Sequence, residues 1–169
     1  MDGEKTLLNA ILCYLVRGKE VLLSIKTKNI GEGRWNGYGG GIEEGDRTPE
    51  EAALRELKEE AKVVASPDCL EKVAIIDFCN TKSDGSVFNC KVHVYLVSRW
   101  VGEPQVSEEM INPTWFDKEH LPLDKMLLAD REWLPLVLDG KKIKAVARYG
   151  PFQKTLLGKV VIQQVDSLT

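Results

Sequence analysis

"GYGGGIEEGDRTPEEAALRELKEEAKV", residues 37–63, joins a glycine-rich loop to a strongly acidic segment. Its second half places five glutamates within eleven residues: Glu50, Glu51, Glu56, Glu59 and Glu60. Apolar residues are threaded between these acids at helical spacing, so the segment predicts an amphipathic helix after a flexible approach. Helix stability alone does not explain so many acids on one helix, so the pattern indicates a ligand-binding site.

The beginning of this helix is well marked. Thr48 is a favourable N-cap, Pro49 fits the first helical position, and Glu51 stands where a capping box places its carboxylate. The apolar stripe that follows is formed by Ala53, Leu54, Leu57 and Ala61. Residues at these spacings share one side of a helix, so we expect this stripe to pack against a sheet.

Glu56, Glu59 and Glu60 are expected together on another face of the helix, as neighbours three and four residues apart. Like charges at such spacings cost ~0.2–0.5 kcal/mol per pair. Arg55 relieves part of that cost by pairing with Glu51 or Glu59. Two interpretations follow: a solvated acidic face tempered by nearby cations, or a site for a hard divalent cation such as magnesium, which binds carboxylate oxygens.

The flanking sequence predicts a sheet on both sides of the helix. Strand-like apolar runs occupy residues 6–16, 21–26, 73–79, 87–100, 142–149 and 156–165. Residues 28–41 are interpreted as a glycine-punctuated loop. A second helix is predicted within residues 128–138, where Pro135 is expected to restrict it to short pieces. Strands around one long helix, with a second helix late in the chain, predict a mixed α/β sandwich.

The composition limits the classes of protein that remain. With 169 residues and 43% hydrophobic content, the chain is expected to form one domain, residues 1–169, whose hydrophobic core does not need a disulfide bond or a structural metal ion for stability. Its net charge of −3 argues against a nucleic-acid polymer as partner. The four cysteines have no CxxC spacing and are expected to be reduced. Neither a secretory signal nor a membrane span is expected, so we expect a cytoplasmic protein.

The run RELKEE, residues 55–60, follows a loop with paired glycines and resembles the signature of the Nudix hydrolases, here a Nudix box of about residues 40–63. GEGRWNGYGG, KVHVYLV, PTWF and the Trp-x-Pro pattern at Trp133 are similar to the branch that hydrolyses oxidised purine nucleoside triphosphates such as 8-oxo-dGTP. This resemblance implies an α/β/α sandwich with a central mixed sheet. It also implies cleavage to a monophosphate and pyrophosphate, which sanitises the nucleotide pool in support of DNA repair.

Carried over residue by residue, the resemblance assigns Mg²⁺ ligation, with Mn²⁺ as an alternative, to Gly40 (through its carbonyl), Glu56, Glu59 and Glu60. Arg55 would orient the carboxylates. Lys26 would meet a substrate phosphate. The general base stays open among the carboxylates of Glu59, Glu60, Glu109 and Glu108.

For the base of the nucleotide, the resemblance selects Asn36 and Asp130 as substrate-binding residues. An amide suits a purine edge because it offers one donor and one acceptor. The branch has a second aspartate where this chain has Ala129, and it has aromatic residues where this chain has Leu127 and Ile30. We therefore expect a purine-sized apolar pocket with fewer hydrogen bonds and less stacking. Trp35, Trp115 and Trp133 are interpreted as core residues rather than stacking platforms.

The box departs from the family pattern at both ends. Counted from Gly40, the upstream glutamate falls on Asp46, whereas counted back from Arg55 it falls on Arg47, so the loop carries one inserted residue. The shorter acid is expected to support Arg55 less well, at a modest loss of rate. Lys62 replaces a glycine, so the helix is expected to end without the usual left-handed glycine cap or to run on.

The expected partner is therefore a small nucleotide, and the chain is expected to be a monomer. A Nudix hydrolase of another substrate stays open as the alternative: a dinucleoside polyphosphate, a nucleotide sugar or an mRNA cap. Two further classes stay open, a module that senses nucleotides without cleaving them and a protein that has kept only the fold. Glu56, Glu59 and Glu60 argue against the sensor, which does not need all three.

Overall fold

The computed structural model describes residues 6–168. Within this range the strands are β1 (Asn9–Arg17), β2 (Glu20–Lys26), β3 (Trp35–Asn36), β4 (Tyr38–Gly41), β5 (Leu70–Thr81), β6 (Val87–Val97), β7 (Met110–Asp117), β8 (Lys142–Pro151) and β9 (Val161–Val165). The helices are α1 (Pro49–Glu56), which continues into a π-helical turn (Leu57–Ala61), and α2 (Asp130–Leu138). Short 3-10 turns lie at Pro67–Cys69 and Leu123–Lys125. No helix in residues 6–168 has the length and apolar content needed to cross a membrane.

The strands form one mixed sheet. Seven of them lie in the order β3-β2-β1-β6-β5-β8-β9, while β4 pairs with β1 and β7 pairs with β2. The β1–β6 and β5–β8 pairs are parallel, and the other pairs are antiparallel. The hairpin predicted at RGKE is formed by β1 and β2, with Val16 opposite Val21. The expected α/β fold with a central mixed sheet is confirmed.

Strand β1 separates two hydrophobic cores because successive side chains of a strand point to opposite faces. Cys13 and Leu15 pack on the α1 side with Leu57 of the π-helical turn. Tyr14, the residue between them, packs on the other side with Trp133 of α2. The two helices therefore cover opposite faces of the sheet, as the expected α/β/α sandwich requires.

Three expectations about secondary structure are wrong. The interval 28–41 is not all loop, because it contains β3 and β4. Strand β7 was not foreseen, because Pro113 interrupts its sequence; the strand accommodates this proline at a register shift opposite β2, next to Asn112 with φ 54°. Helix α2 is one nine-residue helix with Pro135 inside it. Its buried side chains Trp133, Leu134 and Val137 hold it together despite the lost backbone hydrogen bond.

Helix α1 begins as predicted, with the Thr48 hydroxyl accepting a hydrogen bond from the Glu51 N–H at 3.1 Å. The Glu51 carboxylate accepts from the backbone N–H of Arg47 at 2.7 Å, one residue before the position that a capping box uses. Ala52 is buried in the stripe, whereas Leu54 lies at its margin.

The far end of the acidic helix turns at Lys62. This lysine adopts a left-handed conformation with φ 61° and ψ 31°. The helix therefore stops here, which is the first of the two expected alternatives, and it does not run on. A left-handed cap forms without glycine, at some conformational cost because a Cβ is disfavoured in this region.

Candidate functional site

The close approach of β4 to α1 forms the base of the acidic site. A Cβ added to Gly40 would lie 2.5 Å from Oε1 of Glu56, closer than non-bonded atoms tolerate. A larger residue at this position would displace the Glu56 carboxylate. The backbone of residue 40 lies directly against the Glu56 carboxylate, which is the juxtaposition expected from the sequence.

Arg55 ties the approach loop to the helix. Its Nε and Nη2 donate to both carboxylate oxygens of Asp46, at 3.1 Å and 2.8 Å, and Nη2 also donates to the carbonyl of Gly41 at 3.1 Å. Nη1 donates to Glu56 at 2.9 Å and to Glu59 at 3.3 Å. The Asp46 side chain is only 7% exposed, and its hydrogen bonds to Arg55 lower its pKa. Arg55 thus orients carboxylates on both sides.

The expected loss of support for Arg55 is not seen in this geometry. The inserted residue is accommodated by a turn in which Asp46 N–H donates to the Glu43 carbonyl and Glu43 N–H donates to the Asp46 carboxylate, at 2.9 Å and 2.8 Å. That turn brings the carboxylate of Asp46 to the guanidinium of Arg55 in a bidentate salt bridge. Arg47 lies on the outside of the loop, where it pairs with Glu51 at 3.2 Å.

Glu56 and Glu60 form a buried carboxyl pair, with 8% and 7% of each residue exposed. Burial is the main cause that raises the pKa of both, to about 9 for Glu60, whose proximity to Glu56 raises it further. Glu59 differs, because its side chain is 58% exposed and reaches back to Arg55. Two of the three expected metal ligands therefore converge, while the third lies at the rim.

This pair has the chemistry of a divalent cation site. Within residues 6–168, no three acidic, histidine or cysteine side chains are already drawn into one metal-binding group. Magnesium does not require such a cage, because it binds through one or two carboxylates, waters and substrate phosphates. Burial raises the pKa of both carboxyls even though Arg55 pairs with Glu56 and Lys26 acts on Glu60, so a bound cation would further favour their ionised forms. Glu56 and Glu60, beside the backbone of Gly40, are the residues that fit one.

Lys26 and Glu109 lie close to this pair in space. Lys26 ends β2 opposite Met110, the first residue of β7, so Glu109 is adjacent to the end of β2. Both charges act on Glu60, where Glu109 raises the pKa and Lys26 lowers it. Glu108 points away, with its side chain 90% exposed. The structure thus brings the expected phosphate-facing lysine and one of the later-loop acids to the same end of the molecule.

The residues expected to bind the base lie around Tyr14. Oδ1 of Asn36 accepts from the Gly37 N–H at 2.8 Å and from the Tyr14 hydroxyl at 3.4 Å. Since the oxygen has these two donors, the amide presents its Nδ2 as a donor to any ligand. Burial is the main cause that raises the pKa of Tyr14, and the nearby charge of Asp130 raises it further, so Asn36 and Asp130 both lie near this tyrosine.

Asp130 is buried in an apolar environment, at 3% exposure. Its Oδ1 accepts from Trp133 Nε1 at 3.1 Å, whereas its buried Oδ2 has no hydrogen-bond partner within residues 6–168. Burial raises the pKa of Asp130 to about 7. An unpartnered buried oxygen is costly, so Oδ2 is a point where a ligand would gain affinity.

The margin of this region is aliphatic. A Cβ on Gly31 would lie 3.7 Å from Leu127 Cδ1 and 3.7 Å from the Lys26 side chain, so this loop links the two ends of the site. Trp133 is fully buried, which agrees with its interpretation as a core residue. Trp35 and Trp115 are half-buried against Phe116 and Trp100 respectively.

Comparison with known proteins identifies the family. The family profile described as NUDIX domain matches residues 6–137 of this chain. The chain belongs to the Nudix family. It is 37% identical over 131 residues to the oxidized purine nucleoside triphosphate hydrolase of Danio rerio, covering 78% of this chain and 80% of that protein. It is 36% identical over 156 residues to the protein of that name from Mus musculus, covering 92% and 94%.

The Nudix fold is shared with solved structures of lower identity. The mutator MutT protein of Bacillus halodurans superposes with a TM-score of 0.76 at 22% identity, covering 92% of this chain and 97% of that one. At this identity the likeness shows the fold alone.

Sequence reasoning missed several residues of this Nudix site. Tyr14 and Tyr149 both lie near Asp130, since burial and then the charge of Asp130 raise the pKa of each, and the Tyr149 hydroxyl accepts from the Ala129 N–H at 2.7 Å. Both lie in apolar strand runs, where a tyrosine is indistinguishable from a core residue. Thr27 and Lys28 contact the segment of Glu109. Thr27 fell between the strand-like run 21–26 and the interval interpreted as loop, and Lys28 was the first residue of that interval.

Proposed function

We propose that this Nudix hydrolase cleaves oxidised purine nucleoside triphosphates, with an oxidised guanine nucleotide such as 8-oxo-dGTP as the leading substrate, to a monophosphate and pyrophosphate. The observation that carries the proposal is the buried Glu56–Glu60 pair against Gly40, in a chain similar over most of its length to hydrolases of that name. The role is removal of damaged nucleotides from the pool.

The acidic end of the site performs the hydrolysis. Glu56, Glu60 and the rim residue Glu59, with the carbonyl of Gly40, would hold Mg²⁺ or Mn²⁺, which supplies charge neutralisation and a more acidic water. Arg55 keeps the carboxylates in place through its bonds to Asp46 and Glu56. Lys26 binds a phosphate of the substrate.

Glu109 is the favoured general base. Its backbone lies at the end of β2, next to Lys26, and its charge acts on Glu60, whereas Glu108 is turned to solvent. A base within reach of the attacking water takes its proton as the water oxygen bonds to phosphorus. Glu59 and Glu60 are then left to bind the metal.

The other end of the site selects the base. Nδ2 of Asn36 donates to an acceptor on the purine, because its Oδ1 is already used by Gly37 and Tyr14. Oδ2 of Asp130 contacts the purine edge after neighbouring side chains shift, since this oxygen is buried. With a pKa of about 7, its carboxyl can donate when protonated and accept when ionised.

The setting proposed for this activity is simple. We propose a single Nudix domain that spans residues 1–169 and acts as a monomer in the cytoplasm on a small nucleotide, with no nucleic-acid polymer as partner.

Steady-state pyrophosphate release with magnesium, on matched canonical, 8-oxo and 2-oxo purine triphosphates, tests the proposal. We expect the highest kcat/KM for an oxidised purine. A dinucleoside polyphosphate, a nucleotide sugar and a cap analogue form the second arm, and a higher kcat/KM on one of these would replace the proposed substrate. Equal rates on canonical and oxidised purines would remove the sanitising role and keep the hydrolase.

A further inference from the structure

The dipeptide Thr27–Lys28 continues β2 just past Lys26 and holds the segment before β7. The Thr27 N–H donates to the Glu109 carbonyl at 3.0 Å, and the Thr27 hydroxyl donates to the Glu108 carbonyl at 2.7 Å. One residue thus binds two consecutive carbonyls. The backbone of Glu109 is fixed to the strand that carries Lys26.

The other side of the segment is closed by a turn. The Ser107 N–H donates to the Met110 carbonyl at 3.0 Å, and the Met110 N–H donates to the Ser107 hydroxyl at 3.3 Å. The backbone from Ser107 to Met110 is therefore held both internally and by Thr27. Only the Glu109 side chain remains to be oriented.

Lys28 acts on that side chain. Its Nζ lies 3.7 Å from Oε1 of Glu109 and 3.8 Å from Oε1 of Glu108. The ammonium lies between two carboxylates of adjacent residues, which would otherwise repel each other. The side chains of Lys28, Glu109 and Glu108 are 47%, 46% and 90% exposed, so these pairs contribute little to stability.

We propose that Thr27 and Lys28 are positioning residues, which hold the Glu109 carboxylate at the Glu56–Glu60 pair so that it takes the proton of the attacking water. This inference rests on the proposed hydrolase function. In the step, the water oxygen bonds to one phosphorus of the α–β bridge, the bridging P–O bond breaks with its electrons on the oxygen of the departing monophosphate or pyrophosphate, and the proton goes to the Glu109 carboxylate. Lys28 binds no phosphate in this step.

The test compares Lys28→Gln, Lys28→Arg, Glu109→Gln and the double variant. We expect Lys28→Gln to lower kcat about 5-fold with little change in KM, because a misplaced base slows the chemical step without weakening binding. Lys28→Arg should restore most of kcat. Added to Glu109→Gln, Lys28→Gln should have no further effect, since both act through one group. Lys118→Gln is the matched control, because Lys118 makes a similar 3.8 Å pair with Asp139 near the start of β2.

A rise in KM at unchanged kcat would make Lys28 a phosphate ligand and overturn the proposal. So would additive losses in the double variant, or an undiminished kcat in Glu109→Gln. If the wild type released pyrophosphate from no triphosphate, the proposed function would fail instead.

Amide hydrogen exchange tests the positioning of this segment independently of catalytic activity. Thr27→Val should speed exchange at residue 27 and Met110 several-fold, whereas Lys28→Gln, which changes only a side-chain pair, and Lys118→Gln should not. Unchanged exchange in Thr27→Val would show that the backbone of the segment does not depend on this hydroxyl and would overturn the proposal.

Discussion

The acidic end and the base end of this site are built in opposite ways. The acidic end takes most of its residues from one continuous stretch, from Gly40 to Glu60, and balances several charges against Arg55. The base end takes Tyr14, Asn36 and Asp130 from β1, β3 and α2, and keeps a single acid in an apolar shell. The difference teaches that the residues proposed for hydrolysis come together through local sequence, whereas those proposed to select the purine come together only in the tertiary fold.

The strongest way to break this comparison is to remove one charge from the acidic end. Glu60→Gln should lower kcat on the order of 10²-fold or more, because the buried pair loses one of its two carboxylates for metal and proton chemistry. Pyrophosphate release at saturating magnesium measures it. Glu44→Gln, an exposed glutamate of the approach loop, is the control. A variant that kept over a tenth of wild-type kcat would show that the pair is not the chemical centre.

At the base end, removing the charge should stabilise the fold instead. The pKa of Asp130 is about 7 in the folded protein and 3.8 as its ordinary value. Between those pH values the unfolded chain releases a proton that the folded protein keeps, so wild-type stability falls as pH rises and levels off above the folded pKa. Asp130→Asn removes this pH-dependent contribution to the free energy of unfolding. It keeps an oxygen that accepts the hydrogen bond from Trp133 Nε1.

The advantage of Asp130→Asn in free energy of unfolding should therefore grow by roughly 2–4 kcal/mol between pH 4 and pH 8. Urea unfolding at a series of pH values measures it. Asp139→Asn, whose parent side chain is 69% exposed, controls for the loss of a negative charge. A difference that stays flat with pH would mean that Asp130 is not buried as a neutral acid.

Replacing the cation that organises the acidic end should cost stability. Arg55→Met leaves the covered carboxylates of Asp46 and Glu56 without their partner, and we expect a loss of about 2–3 kcal/mol together with activity. Thermal and urea unfolding measure the stability. Arg17→Met is the control, because Arg17 is 56% exposed in a surface pair with Glu20. An equal loss in both variants would contradict an internal role for Arg55.

The smallest effect is expected at Asp46. Asp46→Asn keeps one acceptor for Arg55 but loses the charge, so we expect a loss of about 1 kcal/mol in stability and less than a tenfold loss in kcat. Thermal unfolding and kcat are measured side by side for Asp46→Asn and Glu60→Gln, so that the two losses can be compared directly. An Asp46 variant as inactive as Glu60→Gln would give Asp46 a direct part in the chemistry.

The acidic end was predictable because its signals are local. The Thr48 cap, the apolar stripe and the spacing of Glu56 and Glu60 are properties of one helix, and they specify which side chains come together. The exposure of Glu59 was not foreseen, because the sequence interpretation placed Glu56, Glu59 and Glu60 on one face, and the π-helical turn at Leu57–Ala61 was not foreseen either. A π turn rotates the following side chains relative to an α-helix, and no residue type announces it.

The base end was predictable only through family resemblance. Nothing near Asp130 in the sequence shows that Tyr14 and Tyr149 surround it, because these residues are brought together by β1 and β8. The raised pKa of Asp130 has the same origin, since burial is a property of the packed core and not of a motif. The left-handed Lys62 was missed for a related reason: tertiary context overrode a backbone preference that favours glycine.

Strand β1 sets the tolerance of this protein to insertions and deletions. Cys13 faces the α1 side and Tyr14 the α2 side, so loss or gain of one residue within β1 would exchange the two faces. Such a change would place the wrong side chains both beside the Glu56–Glu60 pair and beside the proposed purine-binding residues Asn36 and Asp130. The loop before α1 lies outside the strand pairings, so strand register does not fix its length. It already holds one additional residue beside Asp46. Length variation among relatives should therefore collect in that loop and be absent from β1.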